Sequence, residues 1–283
     1  MKNSIDKIFY LNTAQNSKVT YEDLFFFIRN VNSIKTNYSF TNTKDFILNF
    51  LSSVFYNVDI NLHDLNSLNS KIDSSKKLKN VSRPKSLEEI IIGIKTSKSK
   101  IKLYTSGTTG QPKEIIHNIK NLSREVREGD KFKNNIWAFA YNPTHMAGIQ
   151  VLFQGLFNKN SFYDVFELTK DQIINILHSN GITNISATPT FFRLLVPIKE
   201  PIISVKNVSL GGEKSNNELQ KKIKESFPNA KVLNIYASTE AGTLFSTSGN
   251  YFKISPDIRE FVKIVDNELI IHKTLLGNID KNK

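Results

Sequence analysis

A chain of 283 residues with no cysteine has room for a substantial core but cannot build disulfides, thiolate metal sites or a cysteine nucleophile. With 39% hydrophobic and 23% charged residues, its composition is that of a folded globular protein and excludes wholesale disorder. The net charge of +12 suits an anionic partner, yet lysine is spread along the whole sequence and no nucleic-acid-binding motif accompanies it, so nucleic acid is not the expected partner. Residues 1–100 read as a short helical region and a basic linker. The start, Met1 to Asp6, lacks an apolar signal core, and no apolar run reaches the length of a membrane span, so a cytoplasmic location is expected. Thr20, with Asp23 three residues on, caps a predicted helix within 19–31, and a second apolar helix is predicted across Asp45–Phe55. The polar tract Asn61–Asn80 reads as a loop, and the basic stretch Lys71–Lys102 as a solvated linker with a short helix.

From 101 to 250 short β-rich runs alternate with amphipathic helices. Strands are predicted at 101–105, 114–117, 136–141, 161–166, 183–187, 206–210 and 231–235. Helices are predicted at 118–128, 148–157, 169–179, 190–196 and 215–226. Such alternation implies βα units, hence an α/β fold of layered, largely parallel sheets flanked by helices. Thr169 with Gln172 and Ser215 with Glu218 have the spacing of capping boxes. Residues 251–283 read as a small β part, with a hairpin in 261–272 turning at Asp266 and Asn267.

Three loops carry the chemistry. In Tyr104–Lys113, Gly107 and Gly110 let backbone N–H groups approach an anion. Thr105, Ser106, Thr108 and Thr109 add hydroxyl donors, Pro112 stiffens the exit and Lys113 supplies a point charge. The spacing is not that of a Walker A loop. Further on, Tyr236, Ala237, Ser238, Thr239 and Glu240 follow a predicted strand, where open α/β sheets put ligand loops. An aromatic face can pack on a base, a hydroxyl can donate to phosphate, and a hard carboxylate suits Mg²⁺. Just upstream, Gly211, Gly212 and Glu213 end another strand. The third loop, Asn142 to Gly148, joins a strand to an apolar helix and contains His145.

Together these segments resemble the ANL superfamily of adenylate-forming enzymes, which includes acyl-CoA synthetases, peptide-synthetase adenylation domains and luciferases. The resemblance runs over roughly 18–272 and is faint before residue 100. It implies use of ATP and Mg²⁺ to turn a small-molecule carboxylic acid into an acyl-adenylate, with transfer to coenzyme A or a carrier-protein thiol to follow. By the same resemblance Thr105 to Gly110 and Lys113 hold phosphate, Gly211 to Glu213 border adenine, and Tyr236 stacks on it. Thr239 bonds the α-phosphate, Glu240 ligates Mg²⁺, and His145, Ala187 and Thr188 line the acyl pocket. His117 supports the phosphate loop.

The chain departs from the family pattern at Glu114, a carboxylate able to pair with Lys113, and at Ala237, which stands for glycine. It ends before the family's Thr-Gly-Asp motif and lysine-bearing small domain, and Asp280 lacks the context of a ribose ligand. The expectations are therefore a truncated large domain, half of a split ligase served by a separate C-terminal domain or acyl carrier protein, or a degenerate nucleotide-binding module.

Overall fold

A computed structural model describes residues 6–63, 74–105, 113–249 and 251–279. In chain order, β1 (Ile8–Asn12) and β2 (Ser17–Thr20) precede α1 (Tyr21–Asn30), then β3 (Ser33–Lys35), β4 (Asn37–Ser39), α2 (Thr43–Phe55) and β5 (Ile60–His63). Next come β6 (Ser75–Lys77), α3 (Leu87–Lys95), β7 (Lys100–Thr105), β8 (Lys113–Asn118) and α4 (Ile119–Leu122). The βα part runs through β9 (Ile136–Phe139), α5 (Met146–Phe157), β10 (Ser161–Asp164), α6 (Lys170–Ser179), β11 (Asn184–Ala187) and α7 (Pro189–Leu195). It continues with β12 (Asn207–Gly211), α8 (Asn217–Ser226), β13 (Lys231–Ser238) and β14 (Gly242–Thr247). The hairpin β15 (Val262–Val265) and β16 (Glu268–Ile271) and a final short strand, β17 (Asn278–Ile279), follow.

The large sheet has the order β14-β13-β12-β11-β9-β10-β1-β2. Its six inner strands are mutually parallel and an antiparallel strand lies at each edge. A smaller mixed sheet has the order β17-β8-β7-β5-β4. The expected α/β class with largely parallel sheets is what the chain adopts. Parallel strands covered on both faces alternate their side chains between two cores. Trp137 and Phe139 of β9 join a core with Phe9, Phe50, Phe153 and Phe162, while Ala138 between them faces Ile185, Val208 and Leu210 on the other side. The first core also takes in Leu24, Ile60, Ile90 and Ile101, so the leading hundred residues pack into the same body as the βα units. On α2, Phe46, Ile47, Phe50, Leu51 and Val54 are all buried. At about 1.5–3 kcal/mol per such side chain, burial rather than capping holds that helix.

The caps at Thr20 and Thr169 are complete boxes, with side chain and backbone bonds in both directions. The box expected at Ser215 is not formed. Asn216 caps α8 instead, accepting from Leu219 N at 3.0 Å, because the helix starts at Asn217, one residue later than the box requires. The hairpin turns at Asp266 and Asn267, both at positive φ (49° and 63°), the geometry of a tight primed turn.

Other expectations need correction. The predicted helix 118–128 is a single turn, Ile119–Leu122, since Ser123 bonds back to the Ile119 carbonyl and the chain then leaves the axis. Within the tract 61–80, Asn61–His63 completes β5, paired in parallel with β4, and 75–77 pairs with β3; residues 64–73 lie outside the described residues. Strand β13 runs on to Ser238, three residues past its predicted end, because β14, which was not foreseen, pairs with it. Among the described residues no helix is long and apolar enough to cross a membrane.

Candidate functional site

A cavity of about 530 Å³ opens outside the carboxyl ends of β9, β11, β12 and β13, and all its lining residues fall between Leu103 and Thr243. That is where an open parallel sheet offers loops to a ligand. The polar wall is built from strand ends. Ser186 and Thr188 leave β11, Gly211 and Gly212 leave β12, and Ala237, Ser238 and Thr239 end β13. Gly212 sits at φ +85°, a conformation that suits glycine. Gly211 has the Tyr141 hydroxyl 3.4 Å from where a Cβ would stand. Burial pushes the Tyr141 phenol up to about 12, against hydrogen bonds to Ser186 and the Gly211 backbone that pull the other way. Its hydroxyl therefore stays protonated as a neutral donor in the wall.

His145 lines the same cavity at the N-cap of α5, where its side chain makes no cap bond. The turn before it is fixed by Asn142, whose Oδ1 accepts from the Thr144 amide at 3.0 Å and hydroxyl at 2.8 Å, while its carbonyl accepts from His145 N. Gly148 explains the glycine three residues on. A Cβ there would lie 2.3 Å from the Asn142 carbonyl oxygen, so only glycine lets α5 close on this turn.

The Thr239 turn is clamped from three sides. His117 Nε2 donates to the Thr239 carbonyl at 2.7 Å, which fixes the tautomer, and its Nδ1 is buried without a partner among the described residues. Burial lowers the pKa of this imidazole and favours its neutral form. Arg124 Nη2 donates to the Ala241 and Thr243 carbonyls at 2.8 and 2.9 Å. Gly277 N donates to the Glu240 carbonyl at 2.7 Å, as β17 pairs with β8. His117 thus braces the second motif; residues 106–112 of the phosphate loop it was expected to support lie outside the described residues.

The remaining expected residues divide. Lys113 opens β8 and is exposed. Thr105 ends β7, and Ser106, Gly107, Thr108, Thr109, Gly110 and Pro112 lie outside the described residues, as does Asp280. Glu114 does not pair with Lys113. Its Oε1 lies 2.6 Å from Lys102 Nζ on the neighbouring strand, because successive strand residues point to opposite faces. Tyr236 stands outside the cavity lining, exposed and grouped with Phe245 and Phe252 at centroid distances of 5.7 and 5.9 Å. Glu213 turns away to accept from the Thr190 hydroxyl at 2.6 Å and to meet Arg193. Ala187 is fully buried among Ile185 and Leu210 and does not reach the cavity, since alternation along β11 points it into the core.

Sequence reasoning missed Arg124, Tyr141 and the glutamines Gln150 and Gln154. The glutamines had a readable signal, being the two polar side chains in Met146–Phe157 and spaced i, i+4. Arg124 had none, because its partners are carbonyls more than a hundred residues away.

The profile of a family described as AMP-binding enzyme matches residues 79–265. Bacitracin synthase 3 of Bacillus licheniformis is 28% identical over 158 residues, which is 53% of this chain and 2% of that protein. The 2-succinylbenzoate–CoA ligase of Bacillus pumilus is 27% identical over 163 residues, 54% of this chain and 32% of that protein. The chain thus spans well under two thirds of the curated relatives it matches. Among solved structures, the luciferase-like enzyme of the mealworm Zophobas morio superposes with a TM-score of 0.68 at 14% identity, covering 98% of this chain and 84% of that one. The o-succinylbenzoate CoA synthetase of Bacillus subtilis gives 0.67 at 16%, covering 98% and 69%. At those identities the likeness speaks for the fold alone. The family match, by contrast, takes in 187 of the 283 residues and every residue lining the cavity, and by it this chain belongs to the AMP-binding enzyme family.

Proposed function

We propose that the protein binds ATP and a carboxylic acid and joins them as an acyl-adenylate, releasing pyrophosphate. The observation that carries this reading is that a single cavity gathers His145, the Gly211-Gly212 turn and the Ala237–Thr239 strand end. A carboxylate oxygen held near His145 attacks the α-phosphorus. An acyl C(O)O–P bond forms, the P–O bond to pyrophosphate breaks, and the bonding pair leaves with that group. Nothing here requires a covalent intermediate on the protein, so catalysis rests on positioning and on stabilising the charge at phosphorus. Thr239 and Ser238 offer hydroxyl donors from the cavity wall. Lys113 offers an exposed ammonium that makes no ion pair among the described residues.

Glu240 is the assigned Mg²⁺ ligand. It is partly exposed, and among the described residues no cluster of three His, Asp or Glu forms a dedicated metal cage. A lone hard carboxylate beside a phosphate site fits Mg²⁺, which is usually held by one or two carboxylates together with substrate phosphates. When bound there it would neutralise phosphate charge. Bacitracin synthase and 2-succinylbenzoate–CoA ligase are named for peptide synthesis and CoA ligation. On their pattern the acyl group passes next to a carrier-protein thiol or to coenzyme A.

Acid-dependent exchange of labelled pyrophosphate into ATP tests the proposal. Exchange that requires both Mg²⁺ and an added acid is the expected result. Nucleotide binding with no exchange across a broad acid panel would reduce the protein to a binding module.

A further inference from the structure

Within that proposed site, we infer that the acid is a neutral-bodied monocarboxylate, with an apolar or aryl body reaching no farther than about two helical turns from the carboxylate. The reasoning rests on how the lining changes along α5. Met146, Ala147, Gln150, Val151 and Gln154 line the cavity at spacings of one, four, five and eight, the positions of one helix face. At 1.5 Å per residue, that face runs for about 12 Å. At its start lie His145 and the polar strand ends. Opposite its later part lie Trp137, Val126, Leu122 and Leu103, all apolar bodies.

Gln154 stands last on this face. Gln154 spends its amide on the backbone of Arg127, accepting from its N at 2.9 Å and donating to its carbonyl at 2.8 Å. Both amide atoms are thus already held by backbone, which fixes the side chain at the end of this face. Thr243 Oγ1 donates to Gln150 Oε1 at 3.3 Å, so that glutamine is tied to the Thr243 strand.

Among the described residues the lining contains no lysine or arginine, and its one carboxylate is Glu125. A second carboxylate on the substrate would therefore enter an apolar slot without a counter-ion, a burial that is strongly unfavourable. Glu125 does not act as a buried partner for an amine either. Its side chain is 49% exposed and lies 3.7 Å from Arg124 Nε, so it is already hydrated and paired. The slot thus disfavours a dicarboxylate, while a free amino acid finds no carboxylate in the lining, among the described residues, that is not already paired.

The protein's single tryptophan, Trp137, lies in that wall and reports occupancy without any turnover. The experiment titrates the full chain, with Trp137 fluorescence as readout, against 3-phenylpropanoate, 3-(4-carboxyphenyl)propanoate and phenylalanine. These share one body and differ by a distal carboxylate or an α-amine. We expect 3-phenylpropanoate to bind on the order of a hundredfold more tightly than the other two, and palmitate to bind worse than octanoate. Val151→Lys, which places a cation in the slot, should reverse the preference toward the dicarboxylate while circular dichroism stays unchanged. Equal or tighter binding of the dicarboxylate or of phenylalanine by the parent protein would overturn the inference, as would no Trp137 response to any acid. Pyrophosphate exchange on the same panel separates the two claims: the expected preference in fluorescence without exchange would support the pocket and sink the catalytic reading.

Discussion

Lys113 opens β8 and Glu240 follows the end of β13, so two strands of different sheets present the charges assigned to the phosphates and the metal. If those assignments hold, Lys113→Ala and Glu240→Ala should each lower pyrophosphate exchange by on the order of a hundredfold, the scale of losing one preorganised electrostatic contact. Neutralising Lys76 and Lys77, exposed on β6, should leave the rate within twofold of the parent, about the error expected for a distant surface change. Equal losses at all four positions would refute the site. A steric test belongs at Gly148, where an added Cβ would meet backbone at 2.3 and 2.9 Å, neither of which can yield cheaply. Gly148→Ala should cost about 1–3 kcal/mol in thermal unfolding and raise the KM for acid, since the His145 turn must shift. At this scale the sequence was legible where chemistry is local. His145, Gly211 and Thr239 were identifiable from their neighbours, whereas Arg124 and Tyr141 act through partners that only the fold brings near.

Elements show the same division. Helices announced themselves by caps and periodicity, as at Thr20 and Thr169. The strands β1 to β6 did not, because they are three to five residues long and acquire their state from distant partners rather than from alternation of their own. The β1–β10 pairing makes this concrete. Asp164, buried at the end of β10, accepts from the Tyr10 hydroxyl at 2.7 Å and from Asn12 Nδ2 at 3.1 Å, both on β1. Burial raises its pKa above 3.8 in the folded protein. The unfolded chain therefore ionises this group at lower pH than the folded one. Keeping it charged near neutrality costs stability, and the cost disappears as pH falls through the folded value. Tyr10→Phe removes one bond that favours the ionised form and should lower stability by about 1–3 kcal/mol at pH 7. The gap in Tm to the parent should narrow as acidification protonates Asp164 in both proteins, since the lost bond favoured only the ionised form. A gap that widens instead would contradict the pairing.

For the whole molecule, ligand linkage is the simplest check. ATP with Mg²⁺ at a hundred times its Kd should add about 2.7 kcal/mol to unfolding, readable as a rise in Tm of several degrees. Chelating the metal with EDTA should remove most of that rise if Glu240 holds Mg²⁺ together with the phosphates. The fold class was readable from βα alternation, yet the integration of the first hundred residues into the same core was not, since nothing local in Phe9 or Tyr10 names a partner in β10. That pairing also sets a timetable. Tyr10 and Asp164 are separated by 154 positions, and at ribosomal speed the first strand waits roughly 8–30 s for its neighbour to be made. Throughout that interval Phe9 and Tyr10, fully buried in the finished protein, have only the short strand β2 to pair with. The β1 segment should therefore expose this apolar surface until β10 is made, and slowing translation before residue 161 should promote aggregation more than slowing it afterwards.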